Sequence, residues 1–130
     1  LVNKHLNCEL NAPQDIMVSC DINKMQRVFD NLLRNAVNYS YEGTNIKVFA
    51  ELFNNNVCVK VINEGNTIPK EKLDRIFEQF FRLDTARNSS SGGAGLGLAI
   101  AKEIVELHHG TITADSANGI TCFEVVIPLS

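Results

Sequence analysis

The sequence predicts an α+β fold, a two-layer sandwich in which a mixed, largely antiparallel sheet packs on about three helices. Three observations lead there. Segments 46–53 and 57–62, and again 111–114 and 121–127, have strand-like alternation. They are joined by Asn54-Asn55-Asn56 and by a turn around Asn118-Gly119, so each pair reads as an antiparallel hairpin. Longer segments outside these hairpins repeat their apolar residues at three- and four-residue steps, as helices with one core face do. Strands and helices do not alternate one for one, which a doubly wound parallel sheet would require. The 130 residues are 45% hydrophobic and 21% charged, values that fit one domain with a single core and argue against disorder, so residues 1–130 are read as one unit.

Each element has its own justification. Residues 4–10 and 16–20 are expected as short strands around a turn at 11–15, which contains Pro13. Asp21 is placed to N-cap a helix running to about Tyr39, with Met25, Val28, Phe29, Leu32, Leu33 and Ala36 facing the core. The first hairpin follows a turn at 41–44. Residues 70–81 carry Leu73, Ile76, Phe77 and Phe80 at helical spacing and are expected as a short helix. Residues 82–91 have no apolar period and are expected as a mobile loop. From about Leu96 to His108 a third helix turns Ala99, Ile100, Ile104 and Leu107 inward, with Gly110 as its C-cap residue.

Composition narrows the function. A formal net charge of -3 gives no sign of a nucleic-acid or membrane-surface face, and no nucleic-acid partner is expected. No apolar run approaches the ~20 residues of a membrane span, and no secretory signal core is present. Cys8, Cys20, Cys58 and Cys122 show neither C-x-x-C spacing nor neighbouring histidines; they read as buried reduced thiols, which points to a cytoplasmic compartment. The chain opens on Leu1 and is read as an excised domain.

Two stretches carry candidate chemistry. Gly92-Gly93-Ala94-Gly95-Leu96-Gly97 runs into an apolar helix, and a glycine-rich loop at a helix start, with its unpaired N–H groups, is suited to hold phosphate. It lacks the Gly-Lys-Ser/Thr ending of a P-loop and the preceding strand of a dinucleotide fingerprint; a plain turn ahead of a core helix would look the same. Asn31, Asn35 and Asn38 form a stripe on the first helix, away from its apolar face. Asparagine is a poor helix former, so the stripe is either a solvated polar face or a site whose amide oxygens meet a ligand or a hard cation such as Mg²⁺. The strand ending in Asn63-Glu64-Gly65-Asn66-Thr67-Ile68-Pro69 places polar groups where recognition often occurs, and also suits a plain loop.

Four patches now stand in order: Asn31 to Ala36, Asn63 to Pro69, Ile76 to Arg82, and Gly93 to Leu98. Together they resemble the N, G1, F and G2 boxes of the catalytic and ATP-binding domain of sensor histidine kinases, in the GHKL superfamily with the Bergerat fold. The wording from Ile68 to Lys102 further resembles sensors of the VanS type, from vancomycin resistance. The resemblance implies ATP and Mg²⁺ as cofactors, with Asn35 as the metal ligand and Asn31 beside the phosphates. Asn63 would accept a hydrogen bond from the adenine amino group, and Gly65 would let the backbone approach the base. Arg82 and Arg87 would reach phosphate, and the amides of Gly93, Ala94, Gly95, Leu96 and Gly97 would cradle it. Asn38, Tyr39, Ile68, Leu98 and Thr121 complete the implied nucleotide-binding set. The implied partners are ATP or ADP, a dimerisation and phosphoacceptor domain, and a response regulator, within a homodimeric, membrane-anchored sensor whose catalytic part is cytoplasmic.

Three positions depart from the family pattern: Asn63 where Asp is usual, Thr67 where a second Gly is usual, and Asn38 where Lys or His is frequent. A neutral acceptor contributes about 1 kcal/mol less than a charged one. Hydrolases of the superfamily resemble one another in a Glu four residues before the metal-binding Asn, where it acts as a general base. Asn31 stands there and cannot take a proton, which favours a kinase over an ATP hydrolase, with a non-catalytic interaction module as the third class. His5, His108 and His109 lie in no phosphoacceptor-type sequence, so the acceptor is expected upstream of Leu1.

Overall fold

The computed structural model describes residues 7–11, 20–81 and 97–129. Its strands are β1 (Asn7–Asn11), β2 (Asn45–Phe53), β3 (Asn56–Glu64), β4 (Thr111–Ala117) and β5 (Ile120–Pro128), and its helices α1 (Ile22–Tyr39), α2 (Lys70–Leu73) and α3 (Gly97–Leu107). The five strands form one sheet in the order β1-β2-β3-β5-β4. Only β1 and β2 run parallel; the other neighbours are antiparallel, which is the expected mixed, largely antiparallel sheet. Two-residue turns join both hairpins, with positive φ at Asn54 (50°) and Asn55 (62°), and at Asn118 (55°) and Gly119 (78°). These values fit the turn twist that matches flanking strands, and Asn and Gly adopt them at least cost.

Alternation along the strands decides the layers. On β5, Thr121, Phe123, Val125 and Ile127 are buried while their neighbours are not, and on β3 Val57, Val61 and Asn63 point the same way. That face meets Met25, Val28, Leu32 and Ala36 of α1 and Ala101, Ile104 and Val105 of α3 in one core. Phe77 stands edge-on to Phe123, with centroids 6.0 Å apart.

Three expectations are corrected. The helix expected over 70–81 is α-helical only over Lys70–Leu73; beyond it, Arg75, Ile76 and Glu78 donate to carbonyls three residues back. Tight three-residue steps turn both Ile76 and Phe77 toward the core, whereas Phe80 takes φ 64° and is 68% exposed. On α3 the buried residues are Ala101, Ile104 and Val105, while Leu107 is 60% exposed. Apart from the face of Lys102, Glu103 and Glu106 the helix is apolar, and contact with α1 selects the side holding the small Ala101. The left-handed residue ending α3 is His109 (φ 64°) rather than Gly110. Gly110 N–H donates to Val105 O and His109 N–H to Glu106 O, the paired bonds of a Schellman motif. Gly110 is needed for closeness, since a Cβ there would collide with the Val126 carbonyl.

The cysteines also differ from expectation. Cys20 is exposed and lies in no strand; the rest of the strand expected at 16–20 lies outside the described residues. Cys58 and Cys122 are half-buried free thiols on the sheet face away from the helices. Burial first, then a hydrogen bond donated to Glu124 (2.9 Å), pushes the Cys58 thiol up to about 11, and burial raises Cys122 as well.

Two polar ties connect α1 to α3. At one end, Asp21 N–H donates to His108 Nε2 (3.1 Å) while His108 Nδ1–H donates to Ile104 O (2.9 Å), which fixes the neutral tautomer. At the other, Asn31 Nδ2 donates to Gly97 O (3.0 Å). Asp21 also caps α1 through its carboxylate, which accepts from Lys24 N–H (3.1 Å).

Candidate functional site

A cleft of about 220 Å³ opens where the C-terminal half of α1, the end of β3 and the following turn meet. Its deep wall is made by Asn63 and Thr121, which are register partners across β3 and β5 and are each only 3% exposed. Among the described residues the Asn63 carboxamide has no hydrogen-bond partner. A buried polar group left so costs roughly 1–3 kcal/mol, a cost that a complementary ligand group in the cleft would remove. Buried Ile68 supplies an apolar wall beside it, and Tyr39 and Asn35 line the α1 side.

Gly65 sits where α1 and β3 converge, bridged to Ser40. A Cβ there would collide with the Tyr39 carbonyl, so only glycine allows this approach. The turn that follows is held by the β4–β5 hairpin. Gly65 N–H donates to Gly119 O (2.9 Å), and Gly119 N–H donates to Thr67 Oγ1 (2.7 Å). Ile68 N–H donates to Ser116 Oγ (2.8 Å), which in turn lies 2.8 Å from Thr121 Oγ1. Thr67 is not among the residues with positive φ, so it stands without left-handed strain, and its hydroxyl ties the turn down.

The asparagine stripe divides. Asn35 is a half-buried residue lining the cleft, whereas Asn31 is engaged with Gly97 O at the start of α3. Asn38 is half-buried on α1 and is not part of the cleft lining. Gly97 opens α3, and Leu98 packs against the core. Arg82, Arg87, Gly93, Ala94, Gly95 and Leu96 lie outside the described residues, as does the loop expected at 83–91. Among the described residues no cluster of three His, Cys, Asp or Glu side chains could hold a metal. Among the described residues lining the cleft, the Asn35 amide oxygen on α1 is a hard donor of the kind magnesium takes, and Mg²⁺ commonly takes only one or two protein ligands and fills the rest with water and phosphate.

Sequence reasoning did not select Lys72 as a cleft residue or Ser116 as a support, and it placed Asn66, Thr67 and Pro69 only within a candidate stretch, without roles of their own. Lys72 reads as the solvated side of a short helix, and Ser116 carries no local signal because its partners are 48 and 5 residues away.

Fold and cleft together define a class. The chain belongs to the family of histidine kinase-, DNA gyrase B-, and HSP90-like ATPases, which it matches over residues 20–130. Its relatives are sensor kinases. It is 50% identical over 119 residues to the sensor protein VanS of Enterococcus faecium, covering 92% of this chain and 31% of that protein. It is 41% identical over 129 residues to VanSC of Enterococcus gallinarum, covering 98% of this chain and 35% of that protein. The chain thus spans about a third of the length of these relatives. Among solved structures it is similar to the catalytic domain of histidine kinase ThkA, with a TM-score of 0.84 and 30% identity over 96% of this chain and 80% of that one.

Proposed function

We propose that residues 1–130 form one ATP-binding catalytic unit of a sensor histidine kinase, which holds Mg²⁺–ATP and presents the γ-phosphate to a histidine on a separate dimerisation domain. The observation that carries this reading is the Asn63 carboxamide, buried at the end of β3 without a partner among the described residues and facing a cleft beside the close approach of β3 to α1 that Gly65 allows. In this reading Asn63 meets the purine edge, Ile68 packs on its face and Thr121 adds a hydroxyl beside it. Asn35 offers its amide oxygen to magnesium, which when bound offsets charge on the phosphates. Arg82, Arg87 and the Gly93 to Gly97 amides contact phosphate. Catalysis by this unit is binding, orientation and charge stabilisation. Asn31 cannot act as a base toward water, and its amide already serves Gly97 O, which disfavours a hydrolase.

The likeness to the sensor proteins VanS and VanSC supports a sensor as the parent; in this reading that parent is of the vancomycin-sensor type, homodimeric and membrane-anchored, and acts on a response regulator. Among the described residues no helix is long and apolar enough to cross a membrane. Calorimetry with ATP, with and without Mg²⁺, tests the site: Mg²⁺ should tighten binding, and Asn35→Ala should abolish that gain. Incubation with radiolabelled ATP tests the transfer: the chain alone should retain no label and should label an added dimerisation domain. Stable label on His5, His108 or His109 would overturn transfer to a separate domain.

A further inference from the structure

We propose that the cleft accepts 6-oxopurine nucleotides as well as adenine nucleotides, with Asn63 as the residue that sets this breadth. The proposal deepens the nucleotide reading above and rests on it. A carboxylate at the end of β3 would present acceptors only. It would receive the amino group of adenine and repel the O6 of a 6-oxopurine, and a buried acceptor of fixed polarity rejects a mismatched group by orders of magnitude. The Asn63 carboxamide instead carries an acceptor and a donor side by side. With Oδ1 toward the base's exocyclic position, it takes the N6–H of adenine and gives Nδ2–H to N1. Rotated by a half turn, it gives Nδ2–H to O6 and takes the N1–H of hypoxanthine or guanine.

Among the described residues nothing selects one rotamer. Asn63 is 3% exposed and among the described residues has no hydrogen-bond partner to hold the amide one way. The second polar group on the deep wall is equally undecided: Thr121 Oγ1 lies 2.8 Å from Ser116 Oγ, and either hydroxyl can be the donor. Rotating those two hydroxyl hydrogens turns Thr121 from donor to acceptor toward the cleft without moving a heavy atom. Among the described residues no carboxylate lines the cleft, and the one charged lining residue, Lys72, is exposed. The polar wall is therefore complementary to both kinds of purine edge.

The test is calorimetric titration of the chain with Mg²⁺ and ATP, GTP or ITP, the last having guanine's O6 and N1–H without its 2-amino group. GTP or ITP should bind within tenfold of ATP, a gap below about 1.4 kcal/mol. If both bind more than tenfold more weakly than ATP, the proposal is overturned while the nucleotide reading stands. If none of the three binds, both fall together. Asn63→Asp, nearly isosteric, should shift the ATP-to-ITP affinity ratio at least tenfold toward ATP; a smaller shift would mean that this side chain does not read the base, and would overturn the proposal as well.

Discussion

Replacing Ser116 with Ala removes a hydroxyl that lies outside the cleft lining yet holds two parts of it. Ser116 Oγ accepts from Ile68 N–H and is bonded to Thr121 Oγ1, both at 2.8 Å and both partly buried. Each such bond contributes about 0.5–1.5 kcal/mol net, and Ile68 N–H lies in a residue only 9% exposed, so water replaces the lost acceptor poorly. The expected loss is about 2 kcal/mol. For a domain of this size that lowers Tm by about 6–8 °C. Thermal and urea melts followed by circular dichroism measure it, and ATP titration should show weaker binding, because the turn carrying Ile68 is no longer tied to β4. Thr121→Val removes the other half of the hydroxyl pair. Combined with Ser116→Ala it should cost about 1 kcal/mol less than the sum of the two single changes. A Ser116→Ala chain melting within about 1 °C of the parent, with additive behaviour in the pair, would refute the idea that this relay supports the site.

Other perturbations probe different features. Gly65→Ala forces the chain away from the Tyr39 carbonyl and should cost about 1–3 kcal/mol in urea unfolding, with loss of nucleotide binding; an unchanged midpoint would contradict the close approach. His109→Gly relieves a left-handed residue in the Schellman turn and should raise stability by about 0.5–1 kcal/mol, read as a higher melting midpoint. Cys58 is raised from 9.0 to about 11, so folding favours its protonated form. The stability this contributes is complete below pH 9 and is lost as pH rises through about 11. At pH 8 iodoacetamide should therefore modify exposed Cys20 well before Cys58, by mass spectrometry, and equal rates would refute the burial of that thiol.

The parts legible in the sequence are those decided by neighbours along the chain. Asn-Gly and Asn-Asn turns announce both hairpins because few residues accept positive φ, and α1 shows its core face because one side of it is polar. Periodicity misled at 70–81, since apolar spacing does not distinguish four-residue from three-residue hydrogen-bond steps. It misled on α3 for the opposite reason: Ile100, Ile104 and Leu107 compete with Ala101 and Val105, and only the position of α1 decides between them. In the site, the sequence points to Asn35, Tyr39, Asn63, Ile68 and Thr121, which the structure brings to one cleft. Ser116, and the tie that Thr67 makes, were hidden because both act through the β4–β5 hairpin, a tertiary neighbour that no local pattern reports.

The ties between α1 and α3 amount to a gauge of length. From Asp21 to Asn31 the first helix advances about 15 Å, and from Gly97 to His108 the third advances about 16 Å in the opposite sense. The two intervals match, so both fastenings close at once. Inserting or deleting one residue inside either interval would change that span by about 1.5 Å and swing everything beyond it by about 100° around the axis. One fastening would then have to open. Point substitutions along these stretches change a side chain, whereas a single-residue indel would separate the asparagine helix from the helix that the glycine-rich segment leads into, so the spacing of the two is written into their residue counts.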